Sequence, residues 1–381
     1  MLAGSSAVPA LPVCCPAQAY DRKLLEEGGV LAEPIDLEAK EGFFFIQEIK
    51  TALDKLKSRK APDERGMVAE LFKEGGEEVA GQLTELFNEV LRTGSPPEEW
   101  ASIVFIMIHK GGERWRVGNY RPVALLNIGY KIFAGALLEK FKRELKENQA
   151  EEQAGFCRDA SVVDNHIVLQ LLLERHKDYG LEGLVAAVDF RKAFDTVLHE
   201  SIWRVLREEG IPEVVVKILM KTYGDQKGTV KGQKKEEAFG IFRGVRRGDP
   251  LSPLIFNLVL KGIFKRLKPG WLKKGYGLEQ IDRLMTHICF ADDVLLFAKA
   301  RGQLRDMLED LAREAKKDGL EINWGNTWVM DMAGGRKTEL KVRDEGKERS
   351  VELVNRLPDP LQGFPRPPKA SWRLRRPPRA S

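Results

Sequence analysis

Hydrophobic positions along the chain fall into stretches of two kinds. In "IQEIKTALDKLKSRK", residues 46–60, Ile46, Ile49, Leu53 and Leu56 recur at helical spacing, which predicts an amphipathic helix. "GGEEVAGQLTELFNEVLRTG" predicts a second helix that stops at Gly94, ahead of Pro96 and Pro97. "ASIVFIMIHK" reads as a strand followed by the basic loop "KGGERWRVGNYRP". "VALLNIGYKIFAGALLEKFKREL" reads as mostly helical, as does "SVVDNHIVLQLLLERHKDYG". The second half then runs strand ("GLVAAVDF"), helix ("HESIWRVLREEG", stopping at Gly210 before Pro212) and strand-like segments between Gly228 and Arg243. Next come a helix from "SPLIFNLVLKGIFKRL" with Ser252 as N-cap and Pro253 at its first position, and a tight hairpin, "HICFADDVLLFA". A helix with Leu304, Leu308 and Leu311 on one face and two short strands, "LEINW" and "TWVMDM", close the series. No internal repeat is visible. From residue 357 onward the chain is rich in Pro and Arg, a composition that predicts disorder.

Composition narrows the class. The 381 residues are 43% apolar and 31% charged, enough for one large or two ordinary globular domains. The net charge of +5 is unevenly spread: the first hundred residues are acidic, while the middle and the tail are basic. That distribution permits a polyanion partner without requiring one. Cys14, Cys15, Cys157 and Cys289 form no CxxC pair and have no histidine at zinc-ligand spacing, so a reducing, intracellular setting (cytoplasm or nucleus) without structural zinc is expected. Cys289 lies in an apolar run and reads as core. No apolar run approaches the roughly 18–20 residues of a membrane span. The apolar start lacks the basic residues of a signal peptide and reads as a disordered leader over 1–45.

The candidate chemistry lies in acids at strand ends. "LVAAVDF" carries Asp189 after five apolar residues, and the hairpin turn carries Asp292 and Asp293. An Asp-Asp pair also suits a simple turn, and strands commonly end in Asp. If the two strands share a sheet, Asp189 and Asp292 meet at one rim, while alternation sends Asp292 and Asp293 to different sides. Carboxylates so close repel one another, and a divalent cation relieves the repulsion.

Five segments occur in a fixed order: "NYRPVALLN", "QAGFCRDASVVDN", "VDFRKAFDTV", "GVRRGDPLSPLIFN" and "FADDVLLFA". Together they resemble the reverse transcriptases of non-LTR (LINE-like) retrotransposons, with group II intron enzymes as more distant relatives. The similarity runs from about Leu53 to Met330 and includes "LKSRKAPDERGMVAELFKEGG" upstream. The resemblance implies an α+β right-hand polymerase with a mostly helical fingers region over 46–180 and a ferredoxin-like antiparallel palm over 181–330. The palm would have a four-strand core with helices on one face, a fingers/palm helix at 245–268, and a remnant and tail over 331–381 in place of most of a thumb. It implies RNA-directed DNA synthesis with an RNA template, a DNA primer and dNTPs, and no obligate protein partner. Two Mg²⁺ ions, with Mn²⁺ as an alternative, would be held by Asp189, Asp292 and the carbonyl of Phe190, with Asp293 as the accessory acid. Phe194 would lie under the sugar of the incoming nucleotide and select against a 2′-hydroxyl. Arg121, Lys110, Arg247 and Gly248 would bind the substrate. Lys227, Lys231, Lys234 and Lys235 would line a nucleic-acid path or form an ordinary solvated hairpin.

The chain departs from that family's pattern at several points. Arg247 stands where the family's "GVRQGDP" has Gln. Cys157, Asp159 and Ala160 replace the Arg, Gly and Arg of "QAGFRKGRST", with Arg158 the nearest substitute. Asn326 and Trp328 replace lysines, the first a candidate proton donor to the leaving pyrophosphate. The alternative reading is therefore a catalytically inactive polymerase-fold remnant that binds nucleic acid. A metal-dependent nucleotidyl cyclase, which also uses strand-end acids, would have no use for "GDPLSP" or the long fingers segment.

Overall fold

Residues 102–126 form a hairpin in which Ser102–His109 (β1) pairs antiparallel with Tyr120–Leu126 (β2), from Ile103 opposite Leu126 to His109 opposite Tyr120. "VALL", expected at the start of a helix, is thus strand. Asn127 separates the two states: its side-chain oxygen accepts the Tyr130 N–H at 3.1 Å, a cap that starts the helix at Ile128. These features belong to a computed structural model that describes residues 43–147, 152, 153, 155, 162–232, 237–280, 283–333 and 339–354. The leader before residue 43, Cys14, Cys15, Cys157, Arg158, Asp159, Ala160, Lys234, Lys235 and the Pro/Arg tail lie outside the described residues.

Two sheets organise the rest. In the first, β1 also pairs in parallel with Lys227–Val230 (β4), which continues to the short Phe239–Gly240 (β5), giving the order β2-β1-β4-β5. Helices Ile46–Lys55 (α1), Ala69–Glu74 (α2), Gly76–Thr93 (α3) and Ile128–Glu147 (α4) belong to this half. Phe87 of α3 and Phe133 of α4 meet Phe44, just before α1, and Trp100, just before β1, in a ring cluster with centroids 4.8–6.2 Å apart. The predicted helix over 46–60 ends at Lys55. The helix before Gly94 runs as expected to Thr93.

The second sheet contains Leu184–Val188 (β3), His287–Phe290 (β8), Asp293–Ala298 (β9), Trp328–Asp331 (β10), Leu340–Asp344 (β11) and Lys347–Val354 (β12). Its order is β11-β12-β10-β3-β9-β8, antiparallel except where β10 runs parallel to β12. The expected four-strand core is present but extended, because the β11–β12 hairpin adds two strands at one edge. "LEINW" is not a strand; Ile322 makes only an isolated bridge to Phe190. A separate pair, Leu278–Gln280 (β6) with Arg283–Met285 (β7), precedes β8.

Helices cover both faces of this sheet, not one. Strand alternation places Leu184, Ala186, Val188, Val294, Leu296 and Ala298 in the main core. That core includes Ser252–Lys273 (α9) and Arg301–Lys317 (α10). Val185, Leu295, Phe297 and Met330 face the other way, against Leu169 and Leu172 of Val162–Tyr179 (α5). Burial on both faces explains why β3 and β9 read as nearly continuous apolar runs. Between them in sequence come the short Ala193–Thr196 (α6), His199–Glu208 (α7) and Glu213–Gly224 (α8). The sequence reading missed α8, whose Val214, Val215 and Val216 favour strands by propensity yet pack as helix. In α9 the cap is Leu251, with Ser252 and Pro253 one position further in than expected.

The loop leading into α9 is held by a buried polar network. Arg246, 3% exposed, donates to the Trp100 carbonyl at 2.7 Å and the Thr222 carbonyl at 2.5 Å. Its guanidinium lies over the rings of Tyr130 and Tyr223, 4.5 and 4.8 Å from their centroids. Tyr130 donates its hydroxyl to Asp249 at 2.7 Å, and Asp249 also accepts the Leu251 N–H at 2.9 Å. Burial raises the Asp249 carboxyl above its ordinary range, against the hydrogen bond from Tyr130 and the charge of Arg246. Replacing Arg246 by Met would strand two carbonyls and leave Asp249 without its cation. The expected loss is about 2–4 kcal/mol of unfolding free energy, measured by urea denaturation. A loss within the roughly 0.5 kcal/mol typical of surface substitutions would show that the network does not anchor the loop.

Candidate active site

Asp189 follows the last residue of β3, and Asp293 opens β9. The register, ending with Val188 opposite Val294, brings both acids to one end of the paired strands, beside the Ala291–Asp292 turn. Ala291 takes φ 57°, a left-handed conformation uncommon outside glycine, and this lets the chain reverse between Phe290 and Asp293. Asp189 and Asp292 thus share one rim, as two neighbouring strands of one sheet require.

Their electrostatics reflect the crowding. The Asp292 carboxyl is raised above the ordinary aspartate range, first by burial and then by the charge of Asp189, while Arg247 pulls it down. Asp293 is exposed at the turn, yet the sheet rim withholds part of its hydration. That desolvation, with Asp292 and Asp189 beside it, pushes its carboxyl up to about 6.

Asp189 is held by amides. The side chains of Asn323 and Asn326 both donate to its Oδ2, at 2.8 and 2.9 Å. Its carbonyl accepts the Asn323 N–H at 2.7 Å, and its own N–H reaches the Thr327 hydroxyl at 3.4 Å. Asn326, noted as a departure in a lysine position, therefore touches an acid directly. Asn323 was not singled out from sequence, although "INWGN" puts the two amides three residues apart in one tight turn.

Phe190 lies opposite Ile322, flanked by hydrogen bonds from Arg191 N–H to the Glu321 carbonyl and from Asn323 N–H to the Asp189 carbonyl. In that pattern the N–H and C=O of Phe190 face away from Ile322, toward the side of the acid-bearing hairpin. One oxygen of Asp189, the Asp292 carboxylate and this carbonyl make an all-oxygen donor set, which suits a hard divalent cation such as Mg²⁺. Among the described residues no cluster of three or more His, Cys, Asp or Glu side chains is arranged as a metal site. A cation here would thus rest on two carboxylates and a backbone oxygen.

The other expected substrate residues divide into two groups. Phe194 is half-buried and stacks on Phe256 of α9, with centroids 4.6 Å apart. Arg247 makes a two-pronged ion pair with Asp195, both N···O distances 2.7 Å, and is near enough to affect Asp292. Gly248 takes φ 88°, and a Cβ there would lie 3.4 Å from the Ala124 carbonyl of β2, so its place is set by backbone conformation. Arg121 on β2 and Lys110 just after β1 belong to the other sheet. Both are exposed, and neither forms an ion pair among the described residues. Lys227 and Lys231 are exposed as well. Cys289 is buried, as core.

Residues 108–342 match the reverse transcriptase (RNA-dependent DNA polymerase) family. The chain is 26% identical over 297 residues to the Pol polyprotein of the type-2 retrotransposable element R2DM of Drosophila melanogaster, covering 78% of this chain and 27% of the relative. It is 29% identical over 281 residues to the Pol polyprotein of a type-1 element R2 from Nasonia vitripennis, covering 72% and 25%. To the uncharacterized 149 kDa protein of transposon TX1 from Xenopus laevis it is 27% identical, covering 74% and 22%. The chain spans about a quarter of the length of these curated relatives. Among solved structures, apo telomerase from Candida tropicalis gives a TM-score of 0.48 at 12% identity, covering 71% of this chain and 52% of that one. No described helix is long and apolar enough to cross a membrane.

The raised Asp293 carboxyl makes a signed prediction for metal-free protein. Its folded value lies above the unfolded one, so the folded state holds a proton that the unfolded chain releases. Stability from this group is present at low pH and declines as pH rises from about 4 toward about 6. Asp293→Asn is expected to melt higher than wild type at pH 7 in chelator, with the two melting curves converging near pH 4. Melting temperatures that differ by the same amount at both pH values would refute the assignment.

Proposed function

Because the chain belongs to the reverse transcriptase family, we propose that it extends a DNA primer along an RNA template by nucleotidyl transfer at the rim formed by Asp189, Asp292 and Asp293. The observation that carries this reading is the placing of three aspartates at one end of the β3–β9 pair, near enough that the carboxyls of Asp292 and Asp293 are both raised. Such a concentration of negative charge is costly unless a cation shares it. The family's dependence on divalent metal agrees with that chemistry.

In this reading Asp189, Asp292 and the Phe190 carbonyl hold two Mg²⁺ ions, and Mn²⁺ can replace them. When bound, such ions lower the pKa of a primer 3′-hydroxyl and neutralise charge on the departing pyrophosphate. The chain's own residues do the positioning. Asn323 and Asn326 fix one oxygen of Asp189, and the other would be the one offered to a cation. Phe194, braced by Phe256, offers a ring under the deoxyribose, where a 2′-hydroxyl would collide. Arg247 is oriented by Asp195 and borders the nucleotide with Gly248. Arg121 and Lys110 supply positive charge from the opposite sheet to the triphosphate. The first sheet with its helices serves as fingers and the second as palm, in a nuclear or cytoplasmic protein.

Asn326 gives the inactive reading its specific support. An amide tied to Asp189 cannot donate a proton as an ammonium can, so pyrophosphate departure would lack that assistance.

The test is primer extension by the full chain on an RNA template with dNTPs and Mg²⁺ or Mn²⁺. Wild type is expected to extend, and Asp189→Ala and Asp292→Ala to fall to background while remaining folded. If folded wild type is as silent as Asp292→Ala in both metals, the polymerase reading fails and the inactive remnant stands. In an extending protein, Phe194→Ala is expected to raise ribonucleotide use relative to deoxyribonucleotide use by at least about tenfold, equivalent to ~1.4 kcal/mol. An unchanged ratio would remove Phe194 from sugar selection.

A further inference from the structure

The two-residue turn that carries the acids is held from outside its own hairpin. Ala291 is 7% exposed and occupies the left-handed region, at a cost of about 1–2 kcal/mol for a residue with a Cβ. Its N–H donates to Gln153 Oε1 at 3.1 Å, and its carbonyl accepts from Gln153 Nε2 at 3.3 Å. One side-chain amide thus grips both polar backbone atoms of the residue next to Asp292, as a neighbouring strand would. Gln153 Oε1 also accepts the Gly155 N–H at 2.8 Å.

The gripping segment is itself fixed. The Cys289 N–H donates to the Glu152 carbonyl at 2.7 Å, and Gln153 bridges Cys289 in parallel, so these residues run beside β8 as an extra edge. Asn257 of α9, 4% exposed, donates its amide to the Gly155 carbonyl at 2.7 Å. Glu152 is ion-paired with Lys268 of the same helix. Gly155 touches the turn so closely that a Cβ on it would stand 2.0 Å from the Ala291 nitrogen. Backbone contact at that distance tolerates glycine alone.

We propose that Gln153 is a positioning residue for the acid-bearing turn: its carboxamide sets the height of Asp292 and Asp293 relative to Asp189. It acts on the acids through Ala291. Its consequence for synthesis rests on the polymerase reading; its hold on the turn does not. With Gln153 removed, the β8–β9 strands stay paired, because their ladder does not involve its side chain. The turn relaxes, Ala291 leaves its strained conformation, and the carboxylates lose their common spacing. A misplacement on the order of 1 Å costs about 10²-fold in rate when geometry carries the catalysis.

The experiment compares the full-length wild type with Gln153→Met, similar in length and without the hydrogen bonds, and Gln153→Glu, which keeps the acceptor and loses the amide donor. Amide hydrogen exchange is read at Ala291 and, as internal control, at Leu295 and Leu296. Wild type is expected to protect Ala291 like the strand residues; Gln153→Met is expected to lose that protection and keep the other two. In primer extension with Mg²⁺, kcat is expected to fall about 10²-fold in Gln153→Met and less in Gln153→Glu. The dNTP KM should stay within about threefold and the half-saturating Mg²⁺ concentration should rise. Rapid exchange at Ala291 in wild type overturns the proposal whether or not either variant folds. So does unchanged exchange at Ala291 in a folded Gln153→Met, or a kcat loss accompanied by equal loss of protection at Leu295 and Leu296. If wild type does not extend a primer, the polymerase reading falls by itself, and exchange at Ala291 alone decides whether Gln153 holds the turn.

Discussion

Like-charge repulsion at the end of the β3–β9 pair is the constraint around which the second sheet is built. Three aspartates at one rim would drive the strand ends apart in an isolated hairpin. Here the paired strands are buried on both faces, by α9 and α10 on one side and α5 on the other. Val185, Ala186, Leu295, Leu296 and Phe297 anchor them within a few residues of the acids. Apolar burial of that extent, at about 25 cal/mol per Å², greatly outweighs a repulsion at a partly solvated rim. The acids are tolerated because the strands cannot separate, and the residual tension shows in the raised carboxyls of Asp292 and Asp293.

The means of holding each acid differ with its position. Asp189 extends a strand, so its neighbours come from the chain after α10, where Asn323 and Asn326 turn back toward β3. Neutral amides fix its orientation without cancelling its charge, which an arginine or lysine in contact would do. Asp292 sits at a turn, and the backbone of Ala291 beside it is held by Gln153 from a segment more than a hundred residues earlier. Asp293 has no comparable side-chain donor among the described residues, and its carboxyl is pushed up to about 6. The inequality expected from strand alternation is therefore an inequality of support.

Much of this was legible in the sequence because the chemistry is written in short, contiguous segments. An apolar run ending in Asp189 and a hairpin interrupted by Asp292 and Asp293 specify strand ends, and two strand ends specify a rim. The same local reading failed where distant partners decide. "VALL" became strand because β1 was available to pair with it and Asn127 could start the helix after it. Val214–Val216 became helix through burial against the core. The β11–β12 hairpin joined the sheet through a parallel contact with β10 that no local pattern encodes. Gln153 within "QAGF" carries no local signal of its role, since that role depends on the left-handed conformation of a distant partner, Ala291.

The distribution of cations narrows where a polyanionic substrate could be held. Arg246 is buried and committed to two carbonyls and two aromatic rings, so it supports the loop and offers nothing to solvent. Arg247 is half-open but shares its charge with Asp195 through two hydrogen bonds, which leaves close to zero net charge at that corner. Asp189, Asp292 and Asp293 add negative charge at the adjoining rim. Exposed cations without an ion pair among the described residues lie on the β1–β2 hairpin, at Arg121 and Lys110, and just after the acid of β3, at Arg191 and Lys192. Glutamine at position 247 would have left Asp195 unpaired and the rim more negative still. The Arg247–Asp195 fork therefore makes the corner less repellent to an anion while withholding a free positive charge.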